Sequence, residues 1–204
     1  MEVGSIGISL IVFLATVGIS LYTMYKNHSM LYSWMLKPYY VVRERSYYQL
    51  ITSGFIHANF QHLLFNMLSF FFFAFQLEAI VGPINFLIIY FVGMVISDIP
   101  TLIKEKDNPE YASLGASGAV SAVVFSSILF NPMAKMMILP FPVGIPAFLF
   151  GIIYIVWCYF AEKQSVDMIN QSAHLWGALA GIALTLLLIP QSLGVFIEAL
   201  SNGF

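Results

Sequence analysis

The chain has 204 residues, 60% of them apolar and 9% charged, and its mean hydropathy is +0.87. Values of this size exclude an ordinary soluble domain and imply a polytopic membrane protein with little mass outside the bilayer. A net charge of −2, without any run of Lys or Arg, excludes a nucleic-acid-binding surface.

Six stretches free of Asp, Glu, Lys and Arg can each supply the roughly 20 residues that cross about 30 Å of hydrocarbon. The expected fold is therefore all-α, a six-transmembrane-helix bundle in one domain over 1–204. Its helices are expected at about 5–25, 57–77, 84–97, 115–130, 145–161 and 172–189. The first has no basic n-region and no small-x-small cleavage site, so it is expected to be retained. The segment 26–48 mixes Lys37, Arg43 and Arg45 with Tyr32, Trp34, Tyr39, Tyr40, Tyr47 and Tyr48. Rings interleaved with cations belong at the headgroup layer.

The second helix carries the Phe70-Phe71-Phe72-Phe73 cluster and is expected to end near Glu78 and Gly82-Pro83. The third is expected to stop at Ser97, with a polar loop over 98–110, so that Asp98 reads as a loop residue, as does Asp167. Asn131-Pro132 closes the fourth, because proline disfavours helix in the residue ahead of it. Pro140, Pro142 and Pro146 predict a non-helical connection, and a short loop over 162–171 leads to the sixth helix, which ends near Pro190. The only cysteine, Cys158, lies in an apolar helix as a small core residue and cannot form an internal disulfide. No internal repeat is found, which argues against an inverted-repeat transporter.

Polar side chains at helix depth are costly in lipid and are functional candidates for that reason. They are His57, His62, Asn66, Ser117, Ser121 and His174. His62 and Asn66 stand one helical turn apart on one face and can donate to the same point, whereas His57 points elsewhere or lies in the turn entering the helix. Ser117 falls in the first turn of its helix, where unpaired N–H groups and the dipole favour a developing negative charge. Gly115, Gly118 and Ala119 remove bulk around its hydroxyl. On the sixth helix Ala173, Gly177 and Gly181 form a small-xxx-small ridge bordered by His174. If the two small-residue surfaces meet, His174 can act as general base for Ser117.

Taken singly, each feature has a plainer reading: a helix cap, a packing ridge, a structural histidine. Their coincidence favours a two-residue site. Gly115-x-Ser117-x-Ala119 is one glycine short of the soluble-hydrolase elbow, and no strand precedes it. H-E-x-x-H is absent and the His57/His62 spacing does not place two ligands on one face, so no metal and no organic cofactor is expected.

These residues resemble the rhomboid intramembrane serine proteases of the compact six-helix kind found in bacteria. The family pattern His-x4-His-x3-Asn appears as His57, His62 and Asn66; Gly-x-Ser-Gly appears as Gly115, Ser117 and Gly118; Ala-His-x-x-Gly-x-x-x-Gly appears as Ala173, His174, Gly177 and Gly181. The framework covers nearly the whole chain. The resemblance implies Ser117 as nucleophile and His174 as base with no acidic third member, and His62 and Asn66 as oxyanion donors beside the Ser117 N–H. It makes Glu78 a structural glutamate, and the fifth helix with the 162–171 loop a gate and cap. Its substrates would be single-span or other transmembrane proteins reached through membrane lipid, in the inner membrane of a bacterium.

Two positions depart from the family pattern. A Trp-Arg pair common in the first loop reads Tyr48-Gln49, and a tyrosine that stacks on the catalytic histidine in many relatives is Ser121. Another group must then orient His174, such as Phe125 or Trp176. Lys26, Lys37, Arg43, Arg45, Lys104, Lys106 and Lys163 lie on one side of the expected membrane and Lys135 on the other. That bias turns the serine end toward the cytoplasm; the resemblance implies the opposite, which is adopted on the reading that the first-loop cations are interfacial. Two rivals remain: a catalytically inactive rhomboid-like protein that holds membrane clients, and a small transporter with His57, His62 and His174 along its path.

Overall fold

The computed structural model describes residues 7–138, 141–164 and 170–203. Helix α1 (Ile8–Tyr25) is followed by three short helices, α2 (His28–Trp34), α3 (Pro38–Glu44) and α4 (Gln49–Thr52), the last running into a 3-10 turn, Ser53–Phe55. Then come α5 (Phe60–Val81), α6 (Pro83–Glu105), α7 (Ser117–Phe130), a hairpin of β1 (Lys135–Ile138) and β2 (Phe141–Pro146), α8 (Ala147–Gln164), α9 (Gln171–Leu188) and α10 (Ser192–Gly203). Among the described residues, α1, α5, α6 and α9 are long and apolar enough to cross a membrane, and α7 and 147–162 of α8 are shorter apolar helices. The protein is a multi-pass all-α membrane bundle.

Helix α7 is the axis of the molecule. Nearly every one of its residues is buried, and α5, α6 and α9 surround it. Its 14 residues give it a length of about 21 Å, well short of a bilayer core of about 30 Å. One end therefore starts below the membrane surface. Non-helical backbone at that depth is tolerated only where protein buries it or water reaches it.

The most extensive pairing is α7 with α9, and small residues permit it. A Cβ on Gly177 would strike the carbonyl of Gly118, and one on Gly181 the backbone of Ala122. From the other side a Cβ on Gly93 of α6 would lie 2.7 Å from the Ala122 methyl. Deeper along the seam Ser126 Oγ donates to the Gly181 carbonyl at 3.1 Å, and Thr185 Oγ1 lies 2.7 Å from both. Buried hydroxyls thus bond within the seam instead of facing lipid.

Several elements differ from expectation. Helix α6 does not stop at Ser97 but continues through Asp98 and Pro100 to Glu105. Neighbouring helices supply enough contact for the bundle to tolerate the hydrogen bond lost at proline. Asp98 is accordingly a helix residue, 8% exposed, and not a loop residue. Asp167, with the rest of 165–169 in the expected 162–171 loop, lies outside the described residues, as does Pro140, and 162–164 belong to α8. The connection before α8 is non-helical, as expected, and forms an antiparallel hairpin with Lys135 opposite Pro146 and Met136 opposite Ile145. The tail folds as α10, which packs on α7 and α9.

Helix α5 ends at Val81 with Gly82 as its cap, as expected, and Glu78 in its last turn caps α1. Its carboxylate accepts from the Ile8 N–H at 2.8 Å, the Ser9 N–H at 2.9 Å and the Ser9 hydroxyl. These are first-turn donors that α1 cannot satisfy itself. In the first loop, Gln49 is 4% exposed: its Oε1 accepts from the Lys37 N–H at 3.0 Å and its Nε2 donates to the Ser33 carbonyl at 3.3 Å. Tyr48 OH donates to the same carbonyl at 3.2 Å. Tyr48-Gln49 therefore anchors this loop in its own way. Leu36 and Ser113 exchange backbone hydrogen bonds of 2.9 and 3.0 Å, tying the loop to the segment ahead of α7. Arg43 lies 4.2 Å over the Tyr39 ring, pairs with Asp107 at 2.6 Å and donates to the Lys106 carbonyl. The hydrogen bond from Arg43 holds the Asp107 carboxyl below the usual carboxylate range.

Close packing of α7 and α9 predicts a sharp contrast between glycines. Gly177→Val drives a side chain into the Gly118 carbonyl and lowers stability by about 1–3 kcal/mol, as overpacking does. Gly18→Ala meets nothing within 4 Å and leaves the thermal midpoint in detergent unchanged or slightly raised.

Candidate active site

Ser117 is the first residue of α7, and the loop that delivers it is fixed at each step. Gly115 adopts φ +118°, a conformation that glycine takes without strain, and its N–H donates to the Ser53 carbonyl at 2.9 Å. The next N–H, of Ala116, points at His57 Nε2 at 3.4 Å. The other ring nitrogen, Nδ1, lies 2.8 Å from Ser20 Oγ, whose proton goes to the Phe55 carbonyl at 2.8 Å. Ser20 must then accept, which makes His57 the Nδ1–H tautomer and leaves Nε2 free to accept from Ala116. His57 lies in the extended segment ahead of α5, fully buried, and acts as a strut beneath the serine loop.

Helix α5 begins at Phe60, later than the sequence suggests, because Asn59 caps it by accepting from the His62 N–H at 2.8 Å. That cap sets His62 in the first turn. Its ring packs edge-on against His57 at 4.9 Å and covers Gly115, where a Cβ would lie 2.7 Å from Nε2. Asn66, buried one turn on, donates from Nδ2 to the His62 carbonyl at 3.1 Å. The two residues share a face, as their spacing predicts, and His62 borders the loop that leads into Ser117.

His174 lies in the first turn of α9. Asn170 caps this helix by accepting from the Ala173 N–H at 3.1 Å, and its Nδ2 donates to Thr101 Oγ1 of α6 at 3.0 Å. Gly118 abuts both Gly177 and Ala173, whose carbonyl would be 3.5 Å from a Cβ on Gly118. The neighbours of Ser117 and of His174 are thus in contact. Among the described residues no hydrogen bond joins Ser117 Oγ to His174, and the buried Nδ1 of His174 has no partner. Catalytic hydrogen bonds commonly tighten only when substrate binds. The first backbone bond of α7 runs from the Val120 N–H to the Ala116 carbonyl at 2.9 Å. The N–H groups of Ser117, Gly118 and Ala119 precede it and are available to an anion.

Beside Ser117 is a cavity of about 20 Å³ whose lining includes Ser97, Asp98, Ser113 and Asn170. It has room for about one water and polar groups to hold it. Among the described residues no group of three or more His, Cys, Asp or Glu could hold a metal ion.

The sequence does not single out Tyr154. Its ring, from α8, lies nearly parallel to His174 with centroids 6.4 Å apart and planes 16° apart, and its hydroxyl is 3.2 Å from Ser121 Oγ. Trp176 is 42% exposed, and Phe125 packs on Tyr154 at 5.6 Å. Counting tyrosine as apolar hides the signal, a hydroxyl at helix depth among Phe150, Trp157 and their neighbours.

The strut role of His57 predicts that His57→Phe removes the donor to Ser20 Oγ and strands the Ala116 N–H, costing about 2 kcal/mol. Hydrogen exchange read at the Ala116 amide should accelerate, while that at Ala122, in the middle of α7, should not.

The Rhomboid domain family model matches residues 44–191, which include every residue of the three motifs. The chain is 31% identical over 158 residues to the protein named "Putative rhomboid protease YdcA" of Bacillus subtilis (strain 168), covering 74% of this chain and 71% of that one. It is 32% identical over 150 residues to RHOMBOID-like protein 12, mitochondrial, of Arabidopsis thaliana, covering 66% of this chain and 44% of that one. To Rhomboid protein 1, mitochondrial, of Saccharomyces cerevisiae it is 27% identical over 159 residues, covering 73% and 45%. Each mitochondrial relative is thus matched over less than half its length. With the motifs, the buried serine helix and these matches together, the chain belongs to the rhomboid family of membrane proteins.

Proposed function

We propose that the protein is an intramembrane serine endopeptidase that hydrolyses peptide bonds in or near the transmembrane helix of other membrane proteins. The observation that carries this reading is the contact of Gly118 with Ala173 and Gly177, which sets the start of α7 against the first turn of α9. In the proposed reaction Ser117 Oγ attacks the scissile carbonyl while His174 takes its proton. The oxyanion forms at the N-terminus of α7, where the Ser117 N–H, His62 and Asn66 are the proposed donors. Collapse expels the amine, which takes the proton from His174, and leaves an acyl-enzyme on Ser117.

Deacylation needs water, and the polar cavity beside Ser117 supports its delivery. The unwound stretch ahead of α7 and the shortness of α7 also favour a site below the membrane surface but connected to it. Substrate segments with small, helix-destabilising residues suit such a site, since a helical backbone hides its carbonyls. The reaction needs no metal or organic cofactor. We place the protein in a bacterial cell membrane with the serine end outward. Arg43 over Tyr39 and Lys37, 5.8 Å from the Tyr40 ring centre, support reading the first-loop cations as interfacial.

Cleavage of a panel of single-span membrane substrates in liposomes tests the reading. Ser117→Ala and His174→Ala should abolish cleavage, and His62→Ala or Asn66→Ala should lower kcat about 10²–10³-fold, the usual cost of one oxyanion donor. Unchanged cleavage in either of the first two variants would refute the dyad.

A further inference from the structure

The position one turn after Ser117 is Ser121, whose short side chain cannot reach over His174 with a ring. Its hydroxyl instead meets a tyrosine from another helix: Ser121 Oγ and Tyr154 OH are 3.2 Å apart, and Ser121 is 7% exposed. Tyr154 in turn lies parallel to the His174 ring with a centroid separation of 6.4 Å, inside the range of offset stacking. Phe125 of α7 and Phe150 of α8 flank the tyrosine at 5.6 and 5.7 Å and leave its ring little freedom. Gly151 permits this approach, since a Cβ there would already be 3.3 Å from Phe125. The chain Ser121–Tyr154–His174 therefore spans α7, α8 and α9.

We propose that Tyr154 is the positioning residue of the His174 imidazole, anchored by Ser121, so that the base is aligned with Ser117 only while α8 is seated against α7. This inference rests on the Ser117–His174 reading. His174 Nδ1 is buried without a hydrogen-bond partner, so no acceptor on that nitrogen fixes the ring. Stacking from one face is what restrains it. Because the stacking residue belongs to α8, and α8 packs on α7 far less extensively than α9 does, the seating of α8 is felt at the base. A displacement of α8 withdraws the ring from His174 and breaks its contact with Ser121 together.

The test uses the full chain in detergent and reads three quantities: the rate at which a fluorophosphonate labels Ser117, kcat and KM on a single-span substrate, and the thermal midpoint. Tyr154→Leu should slow labelling and lower kcat about tenfold or more, with KM and the midpoint little changed. Tyr154→Phe keeps the ring and should lose only about threefold; Ser121→Ala should lose about as much, and the double variant no more than either alone. Ser121→Tyr in the Tyr154→Leu background returns a ring from α7 and should recover most of the lost rate.

Wild-type labelling in Tyr154→Leu would overturn the inference, as would equal losses in Tyr154→Leu and Tyr154→Phe. Should Tyr154→Leu fail to fold, Ser121→Ala decides, and wild-type kcat there would overturn the inference. Labelling that survives His174→Ala would instead sink the dyad. Labelling lost in His174→Ala but intact in Tyr154→Leu would overturn the inference and leave the dyad standing.

Discussion

How closely the backbones of α7 and α9 can approach decides everything else at this site. Lipid offers no hydrophobic drive between helices, so their association relies on van der Waals contact and on hydrogen bonds made inside the seam. Gly177 and Gly181 bring α9 onto the backbone of Gly118 and Ala122, and Ser126 with Thr185 completes the seam deeper down. Any side chain at Gly177 would move α9 outward, and His174 with it. The glycine ridge is therefore as much a part of the site geometry as the serine.

A helix too short to cross the bilayer, entered from non-helical chain, leaves peptide groups at its start to be satisfied. The chain solves this with partners drawn from distant segments: Ser53 for Gly115, His57 for Ala116 and Leu36 for Ser113. The first loop thus acts as a buttress. Gln49 is central to it, holding both Lys37 and Ser33, so the departure from the family's Trp-Arg pair changes the anchoring chemistry without losing the anchor. His57 has a similar logic. It carries no proposed chemistry, yet its two ring nitrogens link α1 to the loop that positions Ser117.

Much of this was legible in the sequence, for a physical reason. A serine flanked by glycines, a histidine beside a small-residue ridge, and His62 and Asn66 one turn apart are local patterns, and local spacing determines which side chains share a helix face. Charge-free stretches likewise mark the long helices. What the pattern hides is contact between helices. Tyr154 stacks on His174 from a different helix, and nothing in its neighbours' spacing predicts that. Polar residues also mislead: Asp98 reads as the start of a loop, yet surrounding protein carries α6 through it and through Pro100. The hairpin and α10 are short elements whose formation depends on what they pack against, so propensity alone does not reveal them.

The central claim is that Ser117 is a nucleophile activated by His174 without a carboxylate partner. Peptide mapping by mass spectrometry after fluorophosphonate treatment tests it most directly. The account predicts a single adduct on Ser117, absent from folded His174→Ala protein. An adduct on a different serine, or none at all on protein that still cuts its substrate, would contradict it.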